Sequence, residues 1–114
     1  MHEGAIIRSL LDVAHQVQLK ENLTTVTKLI IVVGKMHQII PQVLITNFDY
    51  MKTEYPGMEN ALLEMQETDV QIRCRDCQKL ISLETPDFHC PACGSTQTEV
   101  VSGNELYIDS LEGS

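Results

Sequence analysis

The sequence predicts an α+β fold: a small mixed three-stranded sheet with two helices, plus an inserted domain built on two cysteine pairs. Three observations predict it. Apolar residues recur at helical spacing near the start of the chain and at strand spacing in its middle and at its end. Two Cys-x-x-Cys pairs interrupt that pattern in a segment with few apolar residues of its own. The chain has 114 residues with 43% hydrophobic content, which suits one compact body with a small appendage.

The elements follow in order. Ile6, Leu10, Val13 and Val17 recur at spacings of three and four, and Ile7, Leu11 and Ala14 widen the same stripe. This predicts a helix from about Glu3 to about Lys20, ending near Glu21-Asn22. Val26 to Gly34 is β-branched and apolar on both faces, so it predicts a central, largely buried strand, with Gly34 as its end or a bend. Pro41 suits the first turn of a second helix whose stripe is Leu44, Phe48 and Met51, stopped by Tyr55-Pro56-Gly57. The segment from Ala61 to Cys74 predicts one or two strands, with a turn or bulge at Glu67-Thr68-Asp69. The tail from Glu105 to Leu111 alternates again and is expected to return to the first sheet. The main body is thus expected over residues 1–71 and 104–114, and the inserted domain over 72–103. With no Trp, three Tyr and two Phe, its core must be mainly aliphatic and Met.

Charge removes several function classes. Eight Lys plus Arg oppose sixteen Asp plus Glu, for a formal net charge of -8. A nucleic-acid binder needs a basic face for phosphate, and an anionic membrane surface makes the same demand. Neither partner is expected. The N-terminus has no basic start, Arg8 and Asp12 interrupt the first apolar stretch, and no run approaches a membrane span. The expectation is a soluble, cytoplasmic protein. In a reducing compartment, four cysteines read as metal ligands before disulfides.

The cysteine pattern is Cys74-Arg-Asp-Cys77, twelve residues, then Cys90-Pro-Ala-Cys93-Gly94. A two-residue gap lets both sulfurs of a pair reach one ion from a tight turn, and two such turns supply the tetrahedral thiolates that Zn2+ favours. Gly94 fits the second turn because it tolerates positive φ. Four thiolates close the coordination sphere, so the zinc is read as structural. The resulting net -2 could be partly offset by Arg73, Arg75 and Lys79. A redox dithiol is the rival reading, and two matched pairs argue against it. His89, beside Cys90, could replace a thiolate; the plainer reading is an exposed neighbour.

Met1-His2-Glu3 is short but chemically suggestive. A terminal amine, the His2 amide nitrogen and its imidazole form fused chelate rings around one metal, a nitrogen-rich planar set that nickel(II) and copper(II) favour. Glu3 could add its backbone nitrogen or its carboxylate. The plainer reading is a solvated terminal residue. His37, between Gly34 and Pro41, is an exploratory second ligand against the plainer reading of a loop histidine. His15 takes no role.

The order of these parts carries a resemblance. Met1-His2-Glu3 opens an amphipathic helix, a strand ends in Val32-Val33-Gly34, and Pro41 with Leu44 and Phe48 begins the second helix. Cys74-x-x-Cys77, Cys90-Pro-x-Cys93-Gly94-Ser95 and Ser102-Gly103-Asn104-Glu105-Leu106 follow. From end to end this resembles the HypA/HybF family, most specifically in the cysteine block and the Gly-Asn-Glu-Leu segment. The resemblance implies a nickel metallochaperone rather than an enzyme. It implies Ni2+ cargo at Met1, His2 and Glu3, with His2 essential, and structural Zn2+ on Cys74, Cys77, Cys90 and Cys93 in a zinc-ribbon-like domain. It implies delivery during maturation of nickel–iron hydrogenase, and in some organisms of urease. The implied partners are the hydrogenase maturation GTPase, the hydrogenase large subunit and, for urease, its maturation proteins. The rival is a zinc-ribbon protein-interaction module without specific nickel binding. No nucleophile–base arrangement supports a hydrolase. Exposed strand edges and a detachable zinc domain leave a homodimer open.

Overall fold

A computed structural model describes residues 3–84 and 88–114 of the chain. Helix α1 spans Glu3–Lys20, strand β1 Val26–Gly34, helix α2 Pro41–Met51, β2 Leu62–Thr68, β3 Val70–Cys74, β4 Leu80–Leu83, β5 Thr98–Ser102 and β6 Leu106–Gly113. Single 3-10 turns follow β1 at Lys35–His37 and α2 at Lys52–Glu54. Among the described residues, no helix is long and apolar enough to cross a membrane.

The strands form two three-stranded sheets, ordered β2-β1-β6 and β4-β3-β5. β1 is central in the first, as its two-faced apolar character predicts, and most of its residues are buried. β6 returns to it in antiparallel sense. Thr25 and Ser114 exchange backbone hydrogen bonds at one end, and the Gly34 amide donates to the Glu105 carbonyl at the other. β2 and β3 are separated only by Asp69 yet lie in different sheets. Their compactness divides the chain into residues 1–32, 39–66 and 107–114, and a second unit of 33–38 and 67–106.

In the first unit α1 buries Ile6, Ile7, Leu10, Leu11, Ala14 and Gln18. Val13 and Val17, expected on that stripe, are 54% and 37% exposed. At 3.6 residues per turn, Ile7, Leu11, Ala14 and Gln18 lie along the centre of the buried face, and the two valines fall toward its edge. Gln18 is tolerated there because its Nε2 donates to the carbonyls of Leu23 (3.2 Å) and Pro56 (3.1 Å). Its Oε1 can only accept, so the His15 Nδ1 at 3.2 Å must donate to it.

α2 opens on Pro41 at its first turn, where the missing N–H costs nothing. It buries Leu44 and Phe48. The Lys52 ammonium closes its end, donating to the Ala61 carbonyl at 2.9 Å and lying 5.5 Å over the Phe48 ring. With Leu29, Ile31 and Met58, these residues make the aliphatic core that the composition predicts.

In the second unit β3 is central and antiparallel to both neighbours, pairing Ile72 with Ile81 of β4 and with Val100 of β5. Only β3 buries alternate side chains, Val70, Ile72 and Cys74.

Candidate metal centre

β3 ends on Cys74, and the chain turns at once toward β4. The Gln78 amide donates to the Cys74 carbonyl (2.8 Å), and the Cys74 amide donates to the Lys79 carbonyl (3.0 Å). The second turn repeats both bonds. The Gly94 amide donates to the Cys90 carbonyl (2.7 Å), and the Cys90 amide donates to the Ser95 carbonyl (2.9 Å). Each turn needs a left-handed residue after its second cysteine. Gly94 takes φ +75° at little cost, whereas Gln78 takes φ +64°. The Gln78 side chain offsets part of that cost by donating to the Arg75 carbonyl at 2.8 Å. The first turn therefore lacks the glycine that made the second one legible.

The turns face each other through sulfur. Cys74 Sγ lies 3.6 Å from Cys93 Sγ, and Cys77 Sγ lies 3.7 Å from Cys90 Sγ. All four sulfurs lie within 4.8 Å of one another. Tetrahedral thiolates 2.3 Å from one zinc would be separated by about 3.8 Å, so the donor set fits such an ion with little movement. The cysteines are not disulfide-bonded; Cys74 and Cys90 are buried, Cys77 is half-buried and Cys93 is exposed.

Their chemistry is uneven. Burial pushes the Cys90 thiol up, but the Cys93 and Ala92 amides and the Cys93 thiol outweigh it, holding it down at about 7. The Ser95 amide favours the Cys93 thiolate, yet the thiols of Cys74 and Cys90 push Cys93 up to about 12. The Cys77 amide, 3.5 Å from Cys74 Sγ, leads the effects that lower Cys74. Such a cluster holds some thiolate character before any cation arrives, and a divalent cation would supply the missing charge.

Met1 and His2 fall outside the described residues. Glu3 opens α1 and is half-buried. His89 is exposed beside the cysteine turn. His37 sits in the 3-10 turn after β1, with Nε2 3.0 Å from the Asn104 carbonyl. A carbonyl only accepts, so Nε2 is the donor.

The Gly-Asn-Glu-Leu segment is an anchor that spacing alone did not disclose. The Gly103 amide donates to Glu105 Oε1 at 2.7 Å, and the Thr68 hydroxyl donates to Oε2 at 2.7 Å. The Thr68 hydroxyl and, against the effect of burial, the nearby backbone amides hold the Glu105 carboxyl below its usual range. Gly103 takes φ +105°, and a side chain there would meet Val70 Cα at 2.6 Å.

The sequence model of the family described as "Hydrogenase/urease nickel incorporation, metallochaperone, hypA" matches residues 1–113. The hydrogenase maturation factor HypA of Moorella thermoacetica is 33% identical over 113 residues, spanning 99% of each chain. That of Aquifex aeolicus is 34% identical over 112 residues, spanning 98% of this chain and 96% of the relative. The chain belongs to the HypA family. The solution structure of the Ni metallochaperone HypA from Helicobacter pylori has the same fold, with a TM-score of 0.71 and 22% identity over 99% of this chain and 97% of that one. HypA is thus a family of metallochaperones and maturation factors, not one defined by catalysis. In this HypA chain the matched region includes both the Met1-His2-Glu3 start and the four-sulfur cluster.

Proposed function

We propose that this HypA chain carries nickel(II) on Met1, His2 and Glu3 and hands it over during maturation of nickel–iron hydrogenase, and of urease where that enzyme is present. We propose further that Cys74, Cys77, Cys90 and Cys93 hold a structural zinc ion. The family match along the whole chain supports the cargo, and the close clustering of the four sulfurs supports the second metal. The nickel domain would be residues 1–71 and 104–114, and the zinc domain 72–103. The partners would be the pathway's maturation GTPase and the hydrogenase large subunit, in the cytoplasm.

The mechanism is binding and handover. His2 must be neutral to ligate, so protonation of its imidazole competes with nickel. Nickel affinity is expected to fall as pH drops through about 6.5. Handover would then take place by a partner's ligands displacing the first set. A zinc-ribbon interaction module, the rival, would bind zinc but no nickel.

The test is a nickel titration of zinc-assayed protein beginning at Met1, against a matched protein extended by a short neutral N-terminal tag. About one nickel on the first and none on the second, with zinc retained on both, is the expected result for a terminal chelate. Equal nickel binding by both would move the site elsewhere, with His37 and His89 the next residues to change. No binding by either would favour the interaction module.

A further inference from the structure

We infer that Asp76 and Ser95 form a clasp that positions the four cysteine sulfurs and so sets how tightly the site keeps its ion. The inference rests on the reading of those cysteines as zinc ligands.

Asp76 lies inside the first cysteine turn, between Cys74 and Cys77, and Ser95 closes the second. The Ser95 hydroxyl donates to Asp76 Oδ2 at 2.5 Å. The same hydroxyl accepts the Gln97 amide at 3.0 Å, which fixes its rotamer and aims its proton at the carboxylate. The Ser95 carbonyl meanwhile accepts the Cys90 amide at 2.9 Å. One residue thus shapes its own turn through its backbone and grips the other turn through its side chain. A second tie runs alongside, from the Arg75 amide to the Gln97 carbonyl at 2.8 Å. Sulfur–metal bonds are therefore not the only links between the turns. The clasp holds the pairs facing one another, so less ordering is left for the ion to impose.

Electrostatics alone predicts the opposite sign. Four thiolates around a divalent ion carry a net -2, and the Asp76 carboxylate adds a further like charge nearby. Removing that charge should strengthen the site if the clasp does nothing. Removing the tie should weaken it if the clasp positions sulfur. Loss of partners that orient metal ligands typically costs about 10–100-fold in affinity.

The experiment uses the full zinc-loaded chain and its variants Asp76→Ala, Asp76→Asn and Ser95→Ala. Zinc release to a chromogenic chelator is measured, along with the Co2+ concentration that half-develops the tetrahedral thiolate spectrum. Asp76→Ala and Ser95→Ala are each expected to release zinc about 10-fold faster and to need about 10-fold more Co2+. Asp76→Asn keeps an acceptor for the Ser95 hydroxyl without the charge and is expected to match or exceed the parent's retention. The double variant Asp76→Ala/Ser95→Ala should be no worse than either single one. Unchanged or slower release in both alanine variants overturns the clasp. Asp76→Asn behaving like Asp76→Ala also overturns it, since the hydrogen bond would then not be what matters. A parent protein that holds no zinc overturns the underlying zinc reading instead, and the stoichiometry of the parent reports that separately.

Discussion

The Gly34→Ala substitution should be among the most damaging single-methyl changes available in this chain. Gly34 has φ -74° and ψ 144°, ordinary extended backbone that alanine adopts freely. Its cost is therefore steric. A Cβ at Gly34 would stand 1.9 Å from the Gly103 carbonyl oxygen, 2.1 Å from its carbon and 2.6 Å from the Asn104 nitrogen. Every obstacle is backbone, so no side chain can rotate away. Ordinary contact begins near 3.4 Å, so the Gly103–Asn104 peptide must retreat by about 1.5 Å, from 1.9 to 3.4 Å. That retreat strains the Met36 amide bond to the Gly103 carbonyl (2.9 Å) and the Gly34 amide bond to the Glu105 carbonyl (2.7 Å). Two backbone hydrogen bonds at about 1 kcal/mol each, with about 1–3 kcal/mol for overpacking, give a loss of about 3–5 kcal/mol.

The assay is urea unfolding of zinc-loaded protein followed by far-ultraviolet circular dichroism. Gly94→Ala serves as the control. A Cβ there meets nothing within 4 Å, so only the left-handed backbone at φ +75° is penalised, at about 1–2 kcal/mol. Steric reasoning predicts that Gly34→Ala is the worse of the two. A loss below about 1 kcal/mol for Gly34→Ala, or a ranking with Gly94→Ala worse, would refute it.

Two further outcomes test the anchors. Gln18→Leu keeps the approximate volume but leaves the Leu23 and Pro56 carbonyls without their side-chain donor, and should lower stability by about 1–3 kcal/mol in the same assay. Glu105→Gln should be destabilised near neutral pH, because the Gly103 amide and Thr68 hydroxyl favour the carboxylate. The Glu105 carboxyl is depressed in the folded state, so its contribution is present above the ordinary glutamate value of about 4.3 and is lost as pH falls through the lower folded value. The gap between parent and variant should accordingly close on acidification, measured by unfolding midpoints from pH 6 downward.

Local chemistry made some of this legible in the sequence. Helical spacing bounded α1 at Glu3–Lys20, Pro41 opened α2, and the two-faced apolar run of β1 marked a central strand. Cysteine spacing and Gly94 disclosed the sulfur cluster, because a tight turn with two thiols is a local object. What stayed hidden depends on partners distant in sequence. Nothing in Leu62–Cys74 says that β2 and β3 join different sheets, since both alternate alike and only Asp69 separates them. Gln18 looks like a solvated helix residue until the Leu23 and Pro56 carbonyls arrive beside it. Val13 and Val17 match the helical period, but apolar character alone does not say where a buried face ends. Glu105 reads as an ordinary acidic residue until Thr68 and the Gly103 amide supply its donors. The nickel ligands were inferred from chelate chemistry and resemblance; Met1 and His2 lie outside the described residues.

The thinness of the second unit's core bears on which metal can be given away. The first unit fully buries Ile7, Leu11, Leu29, Ile31, Leu44, Phe48 and Met58. In the second, among the described residues, the side chains buried to the same degree are Val33, Val70, Ile72, Cys74 and Cys90, and Leu80 and Val101 of its sheet stay about half-exposed, at 52% and 48%. That unit has few buried apolar side chains, and small units in this position commonly rely on a bound metal. An ion cross-linking Cys74, Cys77, Cys90 and Cys93 would join the end of β3 to the turn before β5. Loss of such an ion would remove that cross-link, leaving the hydrogen bonds between the two turns. A cargo ion must leave in every cycle, so it belongs on a part of the chain whose folding does not depend on it. Under the proposed function, that requirement sets a cargo ion apart from the cysteine cluster.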